Sequence, residues 1–106
     1  MLTEPEARGI AEERLARIHE TTRQYTGDDD GFVIVDVEEY PIGWAYYFQH
    51  ARYVRTGDIG AMLGGNAPIL IDRRDGTILP TGTAYPLEHY INEHTRLVPT
   101  SDEARA

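Results

Sequence analysis

Apolar positions recur at two periods along this chain, and the switch between them marks its elements. From Thr3 the spacing is helical. Ala7, Ala11, Leu15, Ile18, Thr22 and Tyr25 follow one another at steps of three or four, with Glu12, Glu13, Arg14, Arg17 and Glu20 between them. This predicts an amphipathic helix of roughly five to six turns whose apolar stripe faces a sheet. Thr3 and Glu6 sit at capping-box spacing, Pro5 falls in the first turn, and the early glutamates suit the positive end of the helix dipole. Gly27 ends the helix, and Asp28, Asp29, Asp30 and Gly31 form a loop.

The period then shortens to two. Phe32 to Val37 is a strand rich in β-branched residues. Its first part is apolar on both faces, so the pattern makes it central or helix-covered there; from Asp36 to Tyr40 it alternates, and Glu38 and Glu39 bring it into solvent. Pro41, Ile42 and Gly43 turn the chain. Trp44 to Gln49 is the next strand, with Trp44, Tyr46 and Phe48 on one face and Ala45, Tyr47 and Gln49 on the other. Trp44 and Phe48 read as core, whereas Tyr46 and Tyr47 suit either core or a recognition surface. His50, Ala51 and Arg52 make a short polar break. Thr56 or Asp58 caps a single helical turn that carries Ile59, Met62 and Leu63 inward. Gly64, Gly65 and Asn66 are a loop without the Lys-Ser/Thr of a phosphate cradle.

Ile69 to Ile71 and Ile78 to Leu79 flank Asp72-Arg73-Arg74-Asp75-Gly76-Thr77, a strong hairpin signal. The sequence places this hairpin at the centre of a small sheet. Pro80 makes its second strand short or an edge. Pro86 opens a short helix whose face carries Leu87, Tyr90, Ile91 and His94. The predicted fold is α+β: a long N-terminal helix packed on one face of a mainly antiparallel four-stranded sheet, with a short helical turn between strands 2 and 3 and a short C-terminal helix. One domain covers residues 1–96, and residues 97–106 form a polar, flexible tail.

Composition narrows the function. At 106 residues, 41% of them hydrophobic, the chain suits one modest core. There is no cysteine, which removes disulfides, thiolate metal sites and a cysteine nucleophile. The N-terminus has glutamates and no continuous apolar run, so a cytoplasmic protein that engages no membrane is expected. The net charge is −8, and every cationic side chain is arginine. That argues against binding nucleic acid and for a basic protein partner attracted over distance.

No catalytic constellation stands out. His89 and His94 are five apart, unlike the i, i+4 pairs that hold zinc. The single serine, Ser101, is in the tail, and paired carboxylates such as Glu88 and Glu93 are explained by a solvated helix face. Asp28, Asp29 and Asp30 lack the alternate-ligand spacing of a calcium loop and read as an exposed acidic patch open to a partner. No metal or cofactor is implied.

Several stretches, taken in order, carry a resemblance. They are Gly43-Trp44 with its aromatics, Tyr53 to Asp58 with its Thr-Gly-Asp, Gly64 to Ile69, Asp72 to Gly76, and Gly82-Thr83-Ala84-Tyr85-Pro86-Leu87-Glu88. Together they resemble the immunity protein 35 family, or YrhB domain, over about Phe32 to Glu93. The resemblance implies a small, non-catalytic cytoplasmic protein that protects a bacterium by neutralising a cognate toxin domain of a polymorphic toxin system. It carries over no catalytic residue. Candidate partner contacts are the carboxylates Asp28, Asp29, Asp30, Glu38, Glu39 and Asp58 with Tyr46, Tyr47 and Tyr53 as aromatic anchors. The alternatives are a chaperone-like protein holding unfolded clients on exposed apolar surface, and a small enzyme or ligand-binding module. The last predicts a pocket between helix and sheet lined by Tyr47, His50 or Tyr85.

Overall fold

The computed structural model describes residues 1–63 and 66–97. Gly64 and Gly65 of the glycine loop, and the tail from residue 98 onward, lie outside the described residues. Helix α1 spans Glu4–Thr26, opened by the expected capping box between Thr3 and Glu6 and closed by Gly27 in the left-handed conformation. Strands β1 (Phe32–Tyr40) and β2 (Gly43–His50) form a hairpin, followed by helix α2 (Ala51–Thr56) and a single 3-10 turn (Ile59–Ala61). Strands β3 (Ile69–Asp72) and β4 (Ile78–Leu79) form the second hairpin, and helix α3 spans Leu87–Leu97.

The four strands make one sheet in the order β1-β2-β3-β4, antiparallel throughout. The expected α+β architecture is therefore present, with one rearrangement. The second hairpin is not the centre of the sheet. Strands β2 and β3 are central, and β4 is an edge of two residues, cut short before Pro80. At the opposite edge lies β1, covered on one face only. Phe32, Ile34 and Val37 pack toward α1, while Val33 and Val35 are exposed. The register shifts at Val35, between Ile34 and Asp36, so a bulge divides this edge into two halves.

Two apolar clusters sandwich the sheet. On one face Ala7, Ala11 and Leu15 of α1 meet Trp44, Tyr46, Ile69 and Ile71. On the other Ala45, Leu70 and Leu79 are covered by Leu87 and Ile91 of α3, with Tyr40 and Tyr47 alongside. The alternation of β2 assigned these two faces correctly, but α3 covers a face that the sequence left bare. The stripe of α1 also ends sooner than its period suggests: Tyr25 is 84% exposed, because the last turn runs past the sheet.

Two close approaches fix the arrangement. A Cβ on Gly43 would lie 1.8 Å from the Ile71 carbonyl oxygen, so only glycine lets β2 meet β3 there. Gly76 adopts φ 79° in the β3–β4 turn, with Ile10 and Leu2 of the α1 end against it.

Candidate functional site

The β1–β2 hairpin dictates which charges meet. Phe32 pairs with His50, so the residues just before β1 lie beside those just after β2. The three aspartates are thereby brought to the start of α2. The Asp28 carboxylate accepts a hydrogen bond from His50 Nε2 at 2.8 Å, and others from the backbone N–H groups of Asp30 (3.2 Å) and Gly31 (3.4 Å). His50 Nδ1 in turn accepts from the Arg52 N–H at 3.1 Å, capping α2, which leaves the ring proton on Nε2. Asp30 receives Arg52 Nε at 2.9 Å and Arg55 Nη2 at 3.2 Å. His19 Nε2 donates to the Asp28 carbonyl at 2.7 Å, and Phe32 stands edge-on to both His19 and His50.

These contacts correct the expectation of an open acidic patch. Asp28 and Asp30 keep only 13% and 21% side-chain exposure, and their charge is answered locally. Burial by itself raises the Asp28 carboxyl, but the His50 and backbone donors outweigh it and hold it below the usual carboxylate range. The Arg52 hydrogen bond, with Arg55, does the same for Asp30. The pair pins the α1–β1 loop to α2. Asp29 alone points outward, paired with Arg23 at 3.2 Å.

The other candidates separate by strand face. Asp36, Glu38 and Tyr47 share the face opposite α1, since Asp36 pairs with Tyr47 and Glu38 with Ala45. Glu38 accepts the Tyr40 hydroxyl proton; that carboxylate, with burial, pushes the Tyr40 phenol up. Tyr47 is half-buried, and its phenol is likewise raised, by burial first and then by Glu38. Glu39 is on the α1 side and binds Arg73 Nη2 at 2.9 Å, while the Arg73 guanidinium lies 4.7 Å over the Trp44 ring. Asp58 is exposed and caps the 3-10 turn through the Gly60 N–H at 3.0 Å. Tyr53 is half-buried on α2.

Tyr46 leaves the surface set. It is fully buried under α1, and its hydroxyl donates to the Glu4 carboxylate at 2.8 Å. Burial, then Glu4, raises its phenol far above the ordinary tyrosine value. The position is core because β2 is an inner strand and α1 lies over this face.

Three features were missed by sequence reasoning. The polar break expected at His50 to Arg52 is instead the start of helix α2, whose Arg52 and Arg55 hold Asp30. The turn after it does not carry its apolar side chains inward. Ile59 is 77% exposed and Met62 46%, as is Val54 of α2 at 52%, while Leu63 is half-buried and held by Gln49, which donates Nε2–H to its carbonyl (3.0 Å) and accepts its N–H (2.6 Å). On the far side Tyr85 stacks on His89 at 4.3 Å, beside Tyr90. Hairpin symmetry about Pro41 was the signal that Asp30 would meet Arg52.

The groove between α1 and β1 has a volume of about 420 Å³ and is lined by Glu12, Leu15, His19, Phe32 and Ile34 among others. None of Tyr47, His50 or Tyr85 lines it. Among the described residues no three His, Asp or Glu side chains converge to hold a metal ion, and no helix is long and apolar enough to cross a membrane.

A four-stranded antiparallel sheet with a long helix on one face and a shorter helix on the other defines a small α+β domain. Residues 5–93 match the family described as Immunity protein 35, and the chain belongs to that family. The Escherichia coli (strain K12) protein named "Uncharacterized protein YrhB" is 38% identical over 71 residues, which cover 66% of this chain and 76% of that protein. No solved structure matches.

Proposed function

We propose that this chain is a non-catalytic, cytoplasmic immunity protein that binds a cognate toxin domain of a polymorphic toxin system and neutralises it. Membership of the immunity protein 35 family is the observation that carries this reading. The charge distribution supports it. A net charge of −8 favours fast encounter with a basic partner, and Asp36 and Glu38 are exposed on the face of the sheet opposite α1. Asp36 and Glu38, next to the half-buried Tyr47, are the centre of the proposed surface, and Glu39, Asp29, Asp58 and Tyr53 are further candidate contacts outside that face. Asp28 and Asp30 serve it by holding α2 in place.

Affinity capture of the tagged protein from its native cells, with mass spectrometry of the retained proteins, tests this. One stoichiometric partner whose isolated domain is toxic, and is silenced by adding this chain, is the expected result. A captured domain whose toxicity persists in the complex would sink the reading. Association should slow steeply with ionic strength.

The exposed Val54, Ile59 and Met62 favour a second reading, a chaperone-like holder of unfolded clients. It predicts heterogeneous clients whose retention does not weaken with salt.

A further inference from the structure

The sheet has two edges, and they differ in what they can accept. Strand β4 offers two residues and stops at Pro80, which has no N–H to give a neighbour. Strand β1 offers nine residues, and among the described residues no strand lies beside its outer edge. An edge this long is a template for another chain unless something protects it. The protections present are the bulge at Val35 and the carboxylates Asp36, Glu38 and Glu39.

Those carboxylates select the occupant. A second copy pairing edge to edge would bring acidic strands together at a separation of about 5 Å, where like charges repel. A basic segment would be attracted by the same groups. The two faces of β1 then set the pattern. Toward α1, Phe32 and Ile34 line the groove beside Leu15, which Arg8, Glu12, His19 and Asp30 also line, so an added strand meets apolar side chains among charged ones on that side. On the opposite side it meets Val33, Asp36 and Glu38.

From this we infer that β1 is a strand-addition site for an extended segment of a protein partner, in which apolar residues directed to the α1 groove alternate with Lys or Arg directed to Asp36 and Glu38. Backbone hydrogen bonds along the edge supply affinity, and the alternation supplies specificity. The identity of the partner as a toxin domain rests on the proposed function; the mode of binding rests on the edge alone.

The test uses the full chain and a capped eight-residue peptide of alternating Lys and Val, followed by backbone amide NMR and hydrogen exchange. The expected result is shifts and slowed exchange centred on β1. These are lost when the peptide is N-methylated along one edge, and Kd rises roughly threefold for each of Asp36→Lys and Glu38→Lys. Both positions are exposed, so the variants should fold; unchanged amide spectra away from β1 check this. Absence of binding at millimolar peptide, equal binding of the N-methylated peptide, or shifts centred on α2 or α3 would overturn the inference. The same exchange measurement on the captured toxin complex separates the two claims. Protection elsewhere with β1 unchanged removes strand addition and leaves neutralisation standing. Strand addition by the peptide, with a toxin domain that stays active in the complex, does the reverse.

Discussion

Replacing Asp28 by alanine should damage the fold far more than replacing its neighbour Asp29, although the sequence presents them as equivalent acids. Asp28 accepts from His50 Nε2 at 2.8 Å and from two backbone N–H groups, at 3.2 and 3.4 Å, with 13% of its side chain exposed. A hydrogen bond to a charged group contributes about 1.5–3 kcal/mol, and the two longer bonds contribute less. Removing all three, and stranding the half-buried His50 donor, gives about 2–4 kcal/mol. For a domain of this size that lowers the melting temperature by roughly 10–20 °C. Asp29→Ala removes one exposed pair with Arg23, worth about 0–1 kcal/mol. Circular dichroism melts at pH 7 on both variants decide the matter. A pair of melting temperatures within about 2 °C of each other would refute the pinning role and restore the open acidic patch. The pH dependence follows from the same geometry. The Asp28 carboxyl titrates lower in the folded than in the unfolded chain. Its contribution is therefore complete above the unfolded carboxylate value, near pH 4, and is lost as pH falls through the folded value. In Asp28→Ala the acid limb of the stability profile should flatten.

Three further outcomes follow from the packing. Gly43→Ala forces a Cβ against the Ile71 carbonyl at the central β2–β3 pair and should cost about 3 kcal/mol or more in urea unfolding, whereas Gly9→Ala, with nothing within 4 Å, should add about 0.5–1 kcal/mol. Tyr46→Phe removes the hydroxyl bond to Glu4 and should cost about 1 kcal/mol, leaving partner affinity unchanged because the ring is buried; a large affinity loss in titration calorimetry would contradict the core assignment. Gln49→Ala breaks both bonds to Leu63, so Leu63 amide exchange should accelerate at least about tenfold with a global loss of only about 1–2 kcal/mol.

Local chemistry determined much of this protein from the sequence alone. The capping box at Thr3, the β-branched run from Phe32, the turn at Pro41 and the Asp75-Gly76 hairpin each carry their instruction within a few residues, so the elements and the α+β class were legible. So was the face assignment of β2, since strand side chains alternate whatever the neighbours are. Strand order and coverage were not, because they depend on which apolar faces meet across the chain. Only the tertiary structure made β2 and β3 central, put α3 over Ala45 and Leu70, and sent Tyr46 beneath α1. The same holds for charge. The sequence counts Asp28, Asp29 and Asp30 as three equal carboxylates; the hairpin brings His50, Arg52 and Arg55 against two of them, turning those two into struts. Which of these carboxylates stay exposed was thus decided by pairing at long range.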